Sequence, residues 1–263
     1  NSNPKATITW FAKNRQLPKT EITETYTASP DGGYVTRSQV RTTVGHQDHN
    51  SVFTCQASNP EFGQTVADTL TLSVLYPPNQ PEISGHRESM RAGDLERMTC
   101  LSVGGNPVAD LKWYKGDTLI REAVYKSIGN VASSEVAIII KANDNGAVYK
   151  CKASNRATTS PLEASVRLAV NFPPSQVFIT VSPSQPKVGQ QTDLTCSCSS
   201  SNPGAEILWV RNGRRTTGVD LGTVDAEYGG KNTTNRLRFT ATSRDHNAVY
   251  GCRATNRLLD QSV

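Results

Sequence analysis

The chain has 263 residues, of which 19% are charged and 36% hydrophobic, and its formal net charge is +5. This balance is typical of folded globular domains and excludes a largely disordered chain. The longest purely apolar stretch is only five residues, 136–140, whereas a membrane-spanning helix needs about 20. The length allows two or three domains.

Two patterns each recur three times along the chain. The first, Asn-Pro-x-Ala-x-Ile/Leu-x-Trp, occupies residues 3–10, 106–113 and 202–209 and contains every tryptophan. The second, Asp-x-x-x-x-Tyr/Phe-x-Cys, follows at 48–55, 144–151 and 245–252. A period of about 100 residues is too long for a solenoid and indicates separate domains. We therefore predict three domains, at 1–76, 77–172 and 173–263.

Each repeat has the composition of short β-strands separated by turns. Apolar and polar residues alternate at 135–138 and 235–239, and Gly, Asn and Asp cluster at 31–33 and 228–230. No segment shows a helical period of 3.6 residues. The pattern predicts an all-β fold in which each repeat is a sandwich of two antiparallel sheets.

The strand period of two assigns a face to each residue of the patterns. Trp113 points to the interior and Tyr114 to the outside. Tyr149 and Cys151 share an inward face, so the tryptophan is expected to pack against a disulfide that joins the two sheets. Tyr149, two positions before the cysteine, is expected to form a tyrosine corner.

The six cysteines predict disulfides rather than a metal site. Their spacings are wide, no Cys-x-x-Cys occurs, and the close pair Cys196 and Cys198 has no nearby histidine. Disulfides favour an oxidising, extracellular compartment.

Spacing relative to the tryptophans selects the disulfide partners. The interval from Cys100 to Trp113 equals the interval from Cys196 to Trp209. This equality predicts the pairs Cys100–Cys151 and Cys196–Cys252. Cys55 then has no partner in the chain, and Cys198 is either a buried free thiol or a competitor for Cys252.

These residues together resemble the immunoglobulin superfamily over essentially the whole chain. A closer resemblance, to the nephrin family with Sticks-and-stones and Hibris, rests on four short segments: Leu75-Tyr76-Pro77-Pro78, Ile83-Ser84-Gly85, Gly104-Gly105-Asn106-Pro107 and Trp113-Tyr114-Lys115. The resemblance implies heterophilic binding across cell junctions to an immunoglobulin receptor of the Neph, Kirre or Roughest type. It also implies that the membrane-distal domain makes the main contact, which leaves internal domains as spacers on the extracellular side of the plasma membrane.

The repeat also predicts that the first and last domains are incomplete. A cysteine placed before Trp10 at the interval seen in the other two repeats would precede Asn1. The segment after Cys252 is shorter than the one that follows Cys151 before its Pro-Pro linker. We therefore expect a segment of a longer tandem array. The linkers 74–78 and 170–174 end in Pro-Pro, which limits bending, so we expect an extended rod.

Catalytic and metal roles find little support among the polar residues. No histidine has converging partners among the polar residues; the four are His46, His49, His86 and His246. We expect His49 and His246, which each follow an aspartate of the second pattern, to face solvent in a turn. The three aspartates that begin the second pattern, Asp48, Asp144 and Asp245, are expected to hold that turn, in the second domain by pairing with Arg91. We predict no enzyme, no cofactor and no metal ion.

Three surface features are candidate binding or modification sites. The outward positions Phe11, Tyr114, Leu208 and Val210 form apolar spots for an interface, unless neighbouring side chains cover them. Arg211, Arg214 and Arg215 form the densest basic cluster, either a heparan-sulfate contact or a solvated turn. Asn232-Thr233-Thr234 is the only glycosylation sequon. Without a basic stripe interleaved with aromatic residues, nucleic-acid binding is not predicted.

Two functions from different classes fit these features. The first is an internal ectodomain segment of a cell-surface adhesion receptor. The second is a structural immunoglobulin array of a secreted matrix protein or of an intracellular muscle-type protein. The core cysteine pairs and the sequon disfavour the intracellular version.

Overall fold

The computed structural model describes all 263 residues, which pack into two compact units. The first unit contains Asn1–Pro78 and two short segments, Gly104–Ala109 and Ser154–Ser160. The second contains Asn79–Val103, Asp110–Ala153 and Pro161–Val263. Strands and five short 3₁₀ turns form the regular structure, so the predicted all-β fold is confirmed.

The strands of Asn1–Pro78 are β1 (Thr7–Ala12), β2 (Arg15–Gln16), β3 (Ile22–Ala28), β4 (Tyr34–Val40), β5 (Val52–Ser58), β6 (Thr65–Thr71) and β7 (Tyr76–Pro78). Two 3₁₀ turns lie at Lys19–Glu21 and His46–Asp48. Six of these strands form a four-stranded sheet in the order β2-β1-β5-β6 and a separate hairpin of β3 and β4, and β7 pairs with residues 104–106. All these pairings are antiparallel.

The next strands are β8 (Glu82–Ser84), β9 (Met90–Arg91), β10 (Leu95–Asn106), β11 (Asp110–Lys115), β12 (Thr118–Ile120), β13 (Val124–Ile128), β14 (Val131–Ile139), β15 (Val148–Ser154), β16 (Leu162–Arg167) and β17 (Val170–Asn171), with a 3₁₀ turn at Ala142–Asp144. In the second unit, β13, β14, β10 and β8 form one sheet, and β12-β11-β15-β16 form another. A short parallel pair joins β17 to β9.

The last strands are β18 (Val177–Ser182), β19 (Gln191–Cys198), β20 (Glu206–Arg211), β21 (Arg214–Thr216), β22 (Val219–Asp225), β23 (Lys231–Thr240), β24 (Tyr250–Asn256) and β25 (Gln261–Ser262), with 3₁₀ turns at Glu227–Gly229 and Ser243–Asp245. They form two four-stranded sheets, β18-β19-β23-β22 and β21-β20-β24-β25. The second unit therefore contains two consecutive sandwiches of the predicted kind.

Strand alternation places the signature residues as predicted. Along β11, Trp113 is fully buried and its neighbour Lys112 is exposed. Tyr149 and Cys151 of β15 are both buried. In the last sandwich, Trp209 belongs to one apolar cluster with both cysteines of the neighbouring disulfide. Burial of apolar side chains of this size is the main stabilising contribution in such a core.

The buried rings of Trp113 and Trp209 each have a hydrogen-bond partner for their single polar group. The indole N–H of Trp113 donates to the carbonyl oxygen of Ser134 at 3.2 Å, and that of Trp209 donates to Asn235 Oδ1 at 2.9 Å. A buried indole without such a partner would cost about 1–3 kcal/mol. Each tryptophan therefore ties the strand that carries it to the opposite sheet.

The cysteines lie in two classes. Disulfides join Cys100 to Cys151 and Cys196 to Cys252, with Cα–Cα distances of 6.3 Å and 6.5 Å. Each links the two sheets of its sandwich. Cys198 is a buried free thiol, and Cys55 is a half-buried free thiol. Burial raises the pKa of Cys55, and the nearby Asp68 adds to the effect, so this thiol is poorly ionised near neutral pH.

Candidate functional site: the linkers and the residues that hold them

The two Pro-Pro linkers, 74–78 and 170–174, are each held by a matching set of polar side chains. We call these sets the first junction (His49, Val74, Tyr76, Asn106 and Asn155) and the second junction (Asn145, Val170, Phe172, Asn202 and Asn256). The first junction lies within the first compact unit and the second junction within the second.

The valine at the start of each linker is held at its backbone N–H. The N–H of Val74 donates to His49 Nδ1 at 3.2 Å, and the N–H of Val170 donates to Asn145 Oδ1 at 2.9 Å. His49 and Asn145 occupy the same place in the repeat, directly after the aspartate of the second pattern. A ring nitrogen and an amide oxygen thus perform the same task.

The same valine is held at its carbonyl oxygen by the asparagine of the Asn-Pro pattern. Asn106 Nδ2 donates to the carbonyl of Val74 at 2.8 Å, and Asn202 Nδ2 donates to the carbonyl of Val170 at 2.8 Å. Both asparagines precede a cis proline. Each valine is therefore fixed at both of its backbone polar groups, which accounts for the polar groups of an irregular segment.

A second asparagine in each junction binds the linker residue before the Pro-Pro pair. Asn155 Nδ2 donates to the carbonyl of Tyr76 at 2.8 Å, and Asn256 Nδ2 donates to the carbonyl of Phe172 at 3.1 Å. Both amides also bond the carbonyl of the cis proline, at 2.7 Å and 3.0 Å. Asn256 is fully buried, so its amide makes bonds that no solvent can replace.

The aromatic residue of each linker packs where these bonds converge. Phe172 is only 3% exposed and forms a β-bridge with Asn202. A Cβ added to Gly230 would lie 2.9 Å from Phe172 Cζ and would also meet Ser200 Oγ, so the ring reaches the backbone at this glycine. In the first junction, Tyr76 lies edge-on to the His49 ring at 5.9 Å.

The aspartates of the second pattern hold the turns beside the junctions, as predicted, but with different partners. Arg91 does not pair with Asp144; its backbone N–H bonds Asp94 instead. Asp144 Oδ1 is paired with Lys115, and Oδ2 accepts from the N–H of Lys141 at 2.7 Å. The expected Arg91 pairing is wrong because the end of strand β11 delivers a closer ammonium group.

The other two turns repeat this arrangement. Asp48 pairs with Lys13 at 2.8 Å, and Asp245 pairs with Arg211 at 2.5 Å. Hydrogen bonds from the Thr242 and Tyr250 hydroxyls and from the Thr242 N–H lower the pKa of Asp245 to about 2. The carboxylate is therefore ionised at neutral pH and fixed in the turn.

The tyrosine before the last cysteine bonds the same carboxylate. Tyr149 donates its hydroxyl to Asp144 Oδ1 at 2.8 Å, and Tyr250 donates to Asp245 Oδ1 at 2.7 Å. Burial, followed by the Asp245 bond, raises the pKa of Tyr250 to about 12. The predicted tyrosine corner is present, with a side-chain carboxylate as its acceptor. The first repeat has Phe53 at this position and lacks the bond.

For Asp144, burial alone would raise the pKa, but the hydrogen bonds from Lys115, the Lys141 N–H and Tyr149 together lower it. The net direction matches that of Asp245. Both turns therefore depend on an ionised carboxylate.

His49 was predicted to face solvent, but it does not. His49 is half-buried in the first junction, whereas His46, His86 and His246 are exposed. The prediction is wrong for His49 because the linker valine returns over this turn and supplies an N–H to the ring.

The four outward apolar residues are less open than predicted. Phe11, Tyr114, Leu208 and Val210 are all half-buried. Lys152 Nζ lies over the Tyr114 ring, 5.1 Å from its centroid. Leu208 faces Arg253 across the strands, and long side chains that stand on one sheet face cover their neighbours. An interface role for the four residues stays a prediction.

The remaining predicted sites are dispersed. Arg211 of the basic cluster is engaged with Asp245, while Arg214 and Arg215 are exposed and form no ion pair. Asn232 lies within strand β23, half-buried, and its Oδ1 is shielded without a hydrogen-bond partner. Glycan attachment there stays a prediction.

The junction asparagines that follow the cysteines were missed by the sequence reasoning, although a signal exists. Asn59, Asn155 and Asn256 each end a third repeated pattern, Cys-x-Ala-Ser/Thr-Asn. Asn59 makes the related bonds to Ser2 Oγ at 2.9 Å and to the carbonyl of Asn3 at 3.3 Å. Repetition at a fixed distance from a core cysteine would have identified them.

The chain contains no group of three or more His, Cys, Asp or Glu side chains that could hold a metal ion. No helix of the structure has the length and apolar character needed to cross a bilayer.

Three stretches match immunoglobulin-domain families. Residues 1–65 match the CD80-like C2-set immunoglobulin domain, and residues 80–170 and 177–256 match two further immunoglobulin-domain families. In structure, the chain is similar to an I-band fragment of titin, with a TM-score of 0.56, 22% identity and coverage of 96% of this chain and 83% of the fragment. It is also similar to the full ectodomain of mouse nectin-like molecule 4, with a TM-score of 0.52, 17% identity and coverage of 97% and 85%. These likenesses show the fold.

The sequence comparisons are more specific. The chain is 32% identical to human nephrin and to rat nephrin over its whole length, and it covers 22% of each. It is 27% identical to rat cell adhesion molecule 2 over 73% of the chain and 44% of that protein. The chain thus spans about a fifth of the length of the nephrins that it matches. Its three immunoglobulin-domain matches place the chain in the immunoglobulin superfamily, in which it is similar to nephrin over its whole length.

Proposed function

We propose that the chain is an internal ectodomain segment of a cell-surface adhesion receptor, in which its three domains, 1–76, 77–172 and 173–263, act mainly as a spacer. The receptor as a whole would bind an immunoglobulin receptor of the Neph, Kirre or Roughest type on an apposed cell. The identity to nephrin over the whole chain is the observation that carries this proposal. Catalysis, a cofactor and nucleic acid have no part in it.

The second junction supports the spacer role. The linker there makes hydrogen bonds through the N–H and carbonyl of Val170 and through both backbone groups of Phe172. Each such bond contributes about 1 kcal/mol. Bending the chain at this linker would break several of them together, so the linker is expected to hold its geometry under load.

The cysteines support an extracellular location. Both disulfides lie in sandwich cores, and disulfides of this kind persist in oxidising compartments. The receptor is therefore proposed to present this segment outside the cell, with a membrane anchor elsewhere in the protein.

A binding comparison tests the proposal. The 263-residue chain and the whole ectodomain would be passed in turn over an immobilised Neph-type ectodomain in a surface plasmon resonance experiment. We expect the whole ectodomain to bind and the chain alone to bind at least 100-fold more weakly, since the main contact is proposed to lie in another domain. Equal affinity would refute the spacer role. The location of the whole protein separates the two functions. If it is found only in the extracellular matrix and never on the cell surface, the matrix array is favoured instead.

A further inference from the structure

The two junctions differ at the residue that accepts the linker N–H. In the first junction the acceptor is a ring nitrogen, His49 Nδ1, and in the second it is an amide oxygen, Asn145 Oδ1. A histidine changes its charge between pH 5 and 8, whereas an asparagine does not. The equivalent hydrogen bond therefore has a titratable acceptor in the first junction and a non-titratable acceptor in the second.

Two N–H donors converge on the His49 nitrogen. The backbone N–H of Val74 lies 3.2 Å from Nδ1, and Asn106 Nδ2 also lies 3.2 Å from it. An atom that accepts from Val74 carries no proton, so the ring is neutral with its proton on Nε2, and Asn106 acts as a second donor. A protonated ring would bring a third N–H against these two.

None of the groups around His49 is a free anion that could stabilise an additional proton on its ring. Tyr76 presents a ring edge at 5.9 Å, and Asn106 and the Val74 peptide are uncharged. His46, on the same turn, packs against the Tyr76 ring at 6.0 Å and offers no anion either. The carboxylate of Asp48 is engaged by Lys13 and by the N–H of Gly45.

We propose that the first junction is an acid-released latch, in which protonation of His49 frees Val74, while the second junction, built on Asn145, is insensitive to pH. Because the closed latch requires an unprotonated Nδ1, the open state binds the additional proton and is favoured as the pH falls. The latch is closed at extracellular pH and opens in an acidic compartment. It would regulate the spacer proposed above, but it is a property of the chain itself and can be measured without any partner.

Amide hydrogen exchange of the 263-residue chain, followed by NMR and corrected for intrinsic exchange rates, tests the latch. On going from pH 7.4 to 5.5, we expect the protection of the Val74 amide to fall by about tenfold, the loss of roughly one hydrogen bond, while that of Val170 stays constant. Equal behaviour of the two amides would overturn the proposal.

Matched variants separate the latch from general acid effects. His49→Asn copies the second junction and should keep Val74 protected at both pH values, whereas His46→Asn should leave the pH response intact. Asn145→His should transfer the response to Val170. If His46→Asn rather than His49→Asn abolishes the response, the assignment is wrong. The native chain and His49→Asn still decide the question if Asn145→His does not fold.

Discussion

Asn256 donates its side-chain amide to the carbonyl oxygen of Phe172 at 3.1 Å, and both residues are buried. The bond joins the end of strand β24 to the linker that precedes this sandwich by sequence. Asn155 makes the equivalent bond to Tyr76. The repetition identifies the linkers as structured parts of the fold rather than as passive connections.

The first prediction concerns this amide. Asn256→Ala removes the donor from the carbonyls of Phe172, Asn202 and Pro203 and leaves a gap where a fully buried side chain stood. We expect the free energy of unfolding to fall by about 1–3 kcal/mol, as measured by urea denaturation. Asn79→Ala, at an exposed side chain, is the control and should change stability by less than about 0.5 kcal/mol. Equal effects of the two substitutions would contradict the role of the amide.

A second prediction concerns the approach of Phe172 to the backbone. Gly230→Ala places a Cβ 2.9 Å from Phe172 Cζ and 3.0 Å from the carbonyl oxygen of Ser201, and is expected to destabilise the chain by about 1–3 kcal/mol. Gly251→Ala meets no atom within 4 Å and serves as the matched control. Thermal unfolding of both variants measures the difference. A melting temperature of Gly230→Ala equal to that of the native chain would show that the linker ring can move aside.

The third prediction concerns the tyrosine corner. Tyr149→Phe removes the hydroxyl that donates to Asp144 and should lower the free energy of unfolding by about 1–2 kcal/mol. The variant should still fold, because Phe53 occupies this place in the first repeat. Tyr114→Phe removes a hydroxyl on the outer face and should have little effect. Chemical denaturation compares the two, and a larger loss for Tyr114→Phe would contradict the assignment.

The fourth prediction is a pH dependence. The folded-state pKa of Asp245 is lowered to about 2, against about 3.9 for an unfolded aspartate. Its contribution to stability is therefore complete above pH ~4 and is lost as the pH falls from about 4 to 2. Asp245→Asn should flatten the stability profile in this window, as recorded by urea titrations at a series of pH values. Asp31→Asn, in an exposed turn, should leave the profile unchanged; the reverse result would refute the role of Asp245.

The fifth prediction concerns the disulfides. Peptide mapping without reduction should recover Cys100 joined to Cys151 and Cys196 joined to Cys252, with Cys55 and Cys198 unpaired. Loops of this length stabilise by roughly 4 kcal/mol each in the chain-entropy model. A peptide that joins Cys198 to Cys252 would contradict this pairing. Intact mass of secreted protein would show in the same samples whether Asn232 carries a glycan.

Much of the fold could be predicted from the sequence because its determinants are local and repeated. The period-two alternation around Trp113 and Tyr149 fixes which side chains enter the core, and the equal spacing of cysteine and tryptophan fixes the sheets that they join. These rules need no knowledge of how distant segments meet.

The junctions could not be predicted in the same way, because their bonds join residues far apart in sequence. Asn106 is visible as part of a repeated motif, but its acceptor, the Val74 carbonyl, is a backbone group that only the folded linker brings near. The predicted partner of Asp144 was wrong for the same reason. Lys115 and Arg91 both carry a positive charge, and only the register of the sheets decides which of them reaches the carboxylate.

Cell aggregation tests the central claim, the spacer role in heterophilic adhesion, most directly. Cells that express the whole protein would be mixed with cells that express a Neph-type partner, and residues 77–263 would be replaced by two unrelated immunoglobulin domains. We predict that mixed aggregates still form after this replacement and are lost when the domains upstream of residue 1 are deleted. Aggregation that is abolished by the replacement and survives the upstream deletion would contradict the account and place the binding site within this chain.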